Sequence, residues 1–152
     1  MKKLLLLVSV LFLLFACNKD KFQTTPQIKI KSISSDIIPN GGSLVVTLTF
    51  TDKEGDVDDS VFVKKIRLNK TVVPTIRDSV KYKIPDFPSH MKGDMEITMD
   101  YQTILSAINP PNIPGSNPPR AQPDTLIVQF AVTDKAKHRS DSVSTGQIIV
   151  IR

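Results

Sequence analysis

Hydrophobic and polar residues alternate along much of this chain with a period of two, the pattern of strands that bury one face. Leu44, Val46, Leu48 and Phe50 share one parity while Thr47, Thr49 and Thr51 take the other. The β-branched residues among them favour extended backbone. Leu126, Val128, Phe130 and Val132 repeat the pattern late in the chain, and Met95, Ile97, Met99 and Tyr101 alternate with Glu96, Thr98 and Asp100. Shorter strands are predicted where Ile28 and Ile30 alternate with Lys29 and Lys31, and over residues 61–69, 71–76, 80–84 and 143–151. Pro74 marks the 71–76 strand as an edge, because proline cannot donate to a ladder. Turn-forming residues separate these runs: a Ser, Pro, Asn and Gly segment through Ser43, then Pro85-Asp86-Phe87-Pro88, then residues 109–123 with six prolines and a glycine. Residues 103–108 make at most a turn or two of helix. The expectation is an all-β chain, an antiparallel β-sandwich of about seven to eight strands. A closed barrel is the rival architecture, but uneven strand spacing and the proline-rich insertion favour two sheets.

The N-terminus follows a different rule. Lys2 and Lys3 precede an apolar segment over residues 4–15, in which Ser9 is the polar exception, and Ala16-Cys17 then gives way to Asn18-Lys19-Asp20-Lys21. About a dozen apolar residues are too few to span a bilayer and suit a secretory signal. Leu14-Phe15-Ala16-Cys17 resembles the bacterial lipobox, in which the cysteine thiol is acylated and the chain is cut before it. Phe15 is larger than the residue usually found two before that cysteine. The resemblance implies a signal peptide over residues 1–16, a lipidated Cys17 with a polar tether over residues 17–26, and one domain over residues 27–152. Two or more inserted acyl chains would make membrane attachment close to permanent. Asn18, where enterobacterial inner-membrane lipoproteins carry Asp, points to the outer membrane. The mixed charge of residues 19–21 leaves the periplasmic and surface faces equally open.

Composition narrows the partners. Removing the signal leaves about 136 residues, enough for one core. The net charge of +5 falls to about +3 without Lys2 and Lys3, and the remaining positive charges are scattered, which excludes a nucleic-acid surface. Cys17 is the single cysteine, so stability beyond the cytoplasm must come from the core rather than from disulfides. The chain has no Trp, and an aromatic platform for sugars would have to draw on Tyr82, Phe87 and Tyr101.

One internal echo carries candidate chemistry. Thr51-Asp52-Lys53, five residues, Asp59-Ser60-Val61 recurs as Thr133-Asp134-Lys135, five residues, Asp141-Ser142-Val143. Asp52 and Asp134 both continue the apolar parity of the strand before them. If these strands take the B and F places of an immunoglobulin-like sandwich, both loops lie at one pole and the two carboxylates converge. A core-facing carboxylate needs a companion, since burying an unpaired charge costs several kcal/mol. Calcium is one, with Asp52, Glu54, Asp56, Asp58 and Asp134 as candidate ligands and Asp59 beside them. Ion pairing with Lys135, Lys137 and Arg139 is a second, and a local turn bond to the aspartate's own backbone a third. The loop is not an EF-hand: glycine stands at Gly55 rather than after the third acid, and Val63 occupies the place of the bidentate glutamate.

With its signal and Cys17, Phe50-Thr51-Asp52-Lys53-Glu54-Gly55-Asp56 after a strand, Tyr82-Lys83-Ile84-Pro85, and Val132-Thr133-Asp134-Lys135-Ala136 before the final strand, the chain resembles small Bacteroidota cell-envelope lipoproteins with an immunoglobulin-like or cadherin-like domain. The resemblance implies an Ig-like sandwich at the cell envelope, used for binding or assembly. Related domains often carry Gly-Asn after the late Asp-x-Ala. Lys137-His138 stands there instead, which adds positive charge and weakens calcium at that loop.

Motifs of catalysis are missing from the sequence. It contains no Gly-x-Ser-x-Gly, no His-Glu-x-x-His and no phosphate-cradling glycine loop. His90 and His138 fall in turn-forming segments. The expected role is therefore a non-catalytic interaction or structural module, an accessory subunit among other envelope proteins. Capture of a glycan or small molecule is the less favoured second class.

Overall fold

The computed structural model describes residues 24–70, 76–105 and 107–152. The signal peptide, Cys17 and most of the tether lie outside the described residues, as do residues 71–75 of the predicted 71–76 strand. What is described is almost entirely β and forms two sheets. The elements are β1 (Gln27–Ile33), β2 (Ile37–Ile38), β3 (Ser43–Thr51), β4 (Ser60–Arg67), β5 (Ser79–Lys83), β6 (Lys92–Asp100), the single helical turn α1 (Tyr101–Ile104), β7 (Asp124–Thr133), β8 (Val143–Ser144) and β9 (Ile148–Val150). One sheet runs β1-β3-β6 and the other β2-β9-β7-β4-β5, with β8 also paired to β7. All pairings are antiparallel except β2 with β9.

Period-two alternation sets which face of each strand is covered. Leu44, Val46, Leu48 and Phe50 of β3 are buried while the threonines between them are half exposed. Leu126, Val128, Phe130 and Val132 of β7 are buried from the other side, joined by Val61 and Val63 of β4 and by Ile148 and Val150 of β9. Phe50 and Phe130 therefore sit in one core but on different sheets. Phe50's ring meets Phe87 at 5.8 Å between centroids and covers Gly93, its cross-strand partner on β6.

Three local readings need correction. The turn-like segment before Ser43 contains β2, because Ile38 is fully buried and pairs with Val150, a partner too distant for local composition to announce. The predicted 143–151 strand is two strands. Thr145 still bonds Val128 through its backbone and its hydroxyl, but that hydroxyl also donates to the Gly146 carbonyl, bending the chain before β9. The strand predicted to include Tyr101 stops at Asp100, where the chain turns into α1.

Lys65 is the unexpected core residue. It shares parity with Val61 and Val63 on β4 and is 4% exposed. Its Nζ donates to the carbonyls of Thr103 and Leu105, at 2.8 and 2.6 Å, closing the end of α1. Burial pushes this amine below its ordinary value, so the folded state disfavours its charge and the penalty eases as pH rises toward the unfolded value. A neutral amine keeps two N–H groups for the two carbonyls. Relative to Lys65→Met, the parent should thus gain stability between neutral and alkaline pH, above an offset of about 1–3 kcal/mol for the carbonyls left unmet by Met. Urea titrations of both proteins across that range check this; a pH-independent difference would sink it.

Candidate functional site

Three loops meet at one end of the two sheets. The β3–β4 loop folds back because Asp52 Oδ2 accepts from the backbone N–H of Gly55 and Asp56, at 2.8 and 3.2 Å. Gly55 takes φ +72°, the left-handed region open to glycine at little cost. The β5–β6 loop clasps this turn: His90 N–H and the Ser89 hydroxyl donate to the Gly55 carbonyl, and Asp52 N–H donates to Met91 O. The β7–β8 loop closes from the other side, where Lys135 N–H donates to the Asp56 carbonyl at 3.2 Å. The matching segments after β3 and β7 thus end at one pole, and Asp52 and Asp134 meet there.

The inner carboxylates are Asp52, Asp56 and Asp134, each with an oxygen within 4.8 Å of the others. Asp52 is 0% and Asp134 1% exposed. Asp134 accepts from the His138 backbone N–H at 2.7 Å, and its other oxygen lies 3.0 Å from His138 Nδ1. Asp52 Oδ1 and Asp56 Oδ1 are buried and meet no backbone or basic side-chain donor. Burial, then a side-chain hydrogen bond with Asp52, then the charges of Asp134 and Asp52 raise the Asp56 carboxyl above its ordinary range.

A charged rim surrounds this centre. Lys135 pairs with Asp58 at 2.7 Å and Lys137 with Asp59 at 2.6 Å. The Asp59 carboxyl is held below its ordinary value, chiefly by the Lys137 hydrogen bond, while its Asp58 partner raises Lys135. The Lys137–Asp59 pair, with its lysine well exposed, is worth little.

Of the five candidate ligands, the fold gathers Asp52, Asp56 and Asp134. Glu54 turns outward and is exposed. Asp58 is buried but engages Lys135 through Oδ2. Arg139 does not join the acids; its guanidinium lies 4.5 Å from the centre of the Phe62 ring, which Lys81 also approaches. His138, placed on a solvated turn by its sequence context, is half exposed but bonds Asp134 through ring and backbone. The one legible signal was the echo with Asp52, whose carboxylate likewise accepts from the backbone N–H four residues on.

Neither a protein-family model nor a curated protein matches the chain. Among solved structures it is similar to the crystal structure of Spo0M, a sporulation control protein from Bacillus subtilis, at 12% identity and a TM-score of 0.44. The similarity covers 84% of this chain and 50% of that protein. At that identity and score the likeness assigns neither a fold family nor a role.

Proposed function

We propose that this chain is a lipid-anchored outer-membrane protein whose immunoglobulin-like sandwich serves as a non-catalytic interaction or structural module within an envelope complex. The observation that carries the reading is N-terminal: Lys2-Lys3, the apolar residues 4–15 and Ala16-Cys17 at their end. Strand order supports the Ig-like assignment. β1, β3 and β6 take the A, B and E places, and β4, β5, β7 and β9 the C, C′, F and G places, with β2 crossing to pair with β9.

Docking is supported by the open side of the sandwich. Among the described residues β5 and β6 are edges of separate sheets, and a groove between them is lined by Val61, Tyr82, Ile84, Pro85, Met95 and Ile97. An edge strand offers unpaired backbone groups to a partner segment, and the groove offers apolar contact. The glycan reading has less support. Tyr82, Phe87 and Tyr101 pack half-buried against the core rather than forming an exposed platform, and the Tyr101 hydroxyl is engaged by the Ile151 carbonyl at 2.8 Å.

The test is chemical. The parent chain should incorporate labelled palmitate, partition into detergent and sediment with outer membranes, whereas Cys17→Ser should remain as unprocessed or soluble precursor. Parent protein found wholly in the soluble fraction would end the lipoprotein reading. Envelope proteins recovered with the detergent-extracted chain, and lost on substitutions along β5 or β6, would identify the docking edge.

A further inference from the structure

We propose that Asp52, Asp56 and Asp134 form a calcium site that fastens the β3–β4 loop to the β7–β8 loop. The acids alone do not carry this. The added observation is that Asp52, 0% exposed, keeps Oδ1 buried with no backbone or basic side-chain donor, and that Asp56 Oδ1 beside it is in the same condition; the hydrogen bond between the two carboxyls needs a shared proton, whose place a cation would take. A buried carboxylate oxygen without a donor is costly, and two of them against a third carboxylate add mutual repulsion. Among the described residues no lysine or arginine forms an ion pair with Asp52 or Asp56; Lys135 and Lys137 are held by Asp58 and Asp59. His138 relieves Asp134 alone.

A hard cation supplies what this centre lacks. Two oxygens that each bind calcium at about 2.3–2.6 Å stand at most roughly 5.2 Å apart, and the three carboxylate oxygens lie within 4.8 Å of one another. The donor set is all oxygen, which excludes soft metals, and irregular loop geometry suits calcium better than the strict octahedron of magnesium. Water would complete the coordination. Because Asp52 follows a strand of one sheet and Asp134 a strand of the other, the ion would tie the sheets together at this pole. The site does not depend on the lipid anchor.

The full chain, held in detergent and stripped with chelator, is titrated with calcium chloride by calorimetry and its melting followed. At a hundredfold excess of free calcium over Kd the melting temperature should rise by roughly 5–10 °C. Asp56→Asn removes a charged ligand with little change of shape. In chelator this variant should melt at or above the parent, since repulsion is relieved, and it should gain nothing from calcium. Glu54→Gln, in the same loop but outside the cluster, should respond like the parent. A flat calorimetric titration, an equal gain from magnesium or matched sodium chloride, an undiminished response in Asp56→Asn, or a lost response in Glu54→Gln would each overturn the assignment.

Discussion

Replacing Phe130 by alanine is expected to destabilise the domain by roughly 3–5 kcal/mol, the usual cost of emptying a large aromatic site in a core. Phe130 is 1% exposed and among the largest fully buried side chains. It stands on β7, with β4 on one side and β8 and β9 on the other, and its cross-strand partners are Val63 and Val143. These backbones are held by ladders in both directions, so collapse around the vacated volume is limited. Phe62 supplies the control. It lies one residue from Val61 and Val63 on the opposite face of β4, half exposed beneath Lys81 and Arg139, and Phe62→Ala should cost clearly less. Urea denaturation of both variants decides the matter. Equal losses would mean that the buried face of the larger sheet has been misassigned.

Gly55→Ala should be nearly as damaging, at roughly 2–5 kcal/mol, although the residue lies in a loop. Two costs combine. A Cβ at φ +72° adds about 1–2 kcal/mol of backbone strain. That Cβ would also stand 2.7 Å from Ser89 Oγ, 3.0 Å from the His90 carbonyl carbon and 3.1 Å from His90 N, an overpacking worth about 1–3 kcal/mol. Ser89 can rotate away, but the His90 backbone moves only by releasing its bond to Gly55 O. Gly115 is the internal comparison, since it too has a positive φ, of 74°, yet an added Cβ there would meet nothing within 4 Å. Gly115→Ala should therefore show the strain alone. Thermal melts of the two variants separate the contributions, and similar losses at both positions would show that the loop contact with His90 is unimportant.

The acidic pole shows where local reading reaches its limit. The echo of six residues after β3 and β7, with Asp52 and Asp134 on core parity, was visible in the sequence, and the convergence of these two carboxylates follows from strand placement. The membership of the cluster did not follow. Asp52, Glu54, Asp56 and Asp58 are equivalent acids at alternate positions, and the turn at Gly55 leaves Glu54 exposed while Asp56 stays with Asp52. Arg139 resembled an ion-pair partner in a basic loop but lies over Phe62, a choice set by which face of β4 that ring occupies. Lys65 sits on core parity among valines, and its position is tenable only because the carbonyls closing α1 arrive from a distant part of the chain.

Alternation along a strand is a property of neighbouring residues, so the sequence by itself determined the all-β character, the buried faces of β3 and β7 and the turn-rich breaks between strands. The lipid-anchor reading likewise rests on residues 1–17 alone. Pairing belongs to residues far apart in the chain, and a two-residue strand such as β2 has too little pattern to declare itself. Only the tertiary structure decided that Ile38 would join β9, that Lys65 would be buried, and that three acids of the pole would share a centre while Asp58 and Asp59 paired with lysines. Each depends on where a second segment lies, and burial fixes that position by removing the water that would otherwise satisfy these groups.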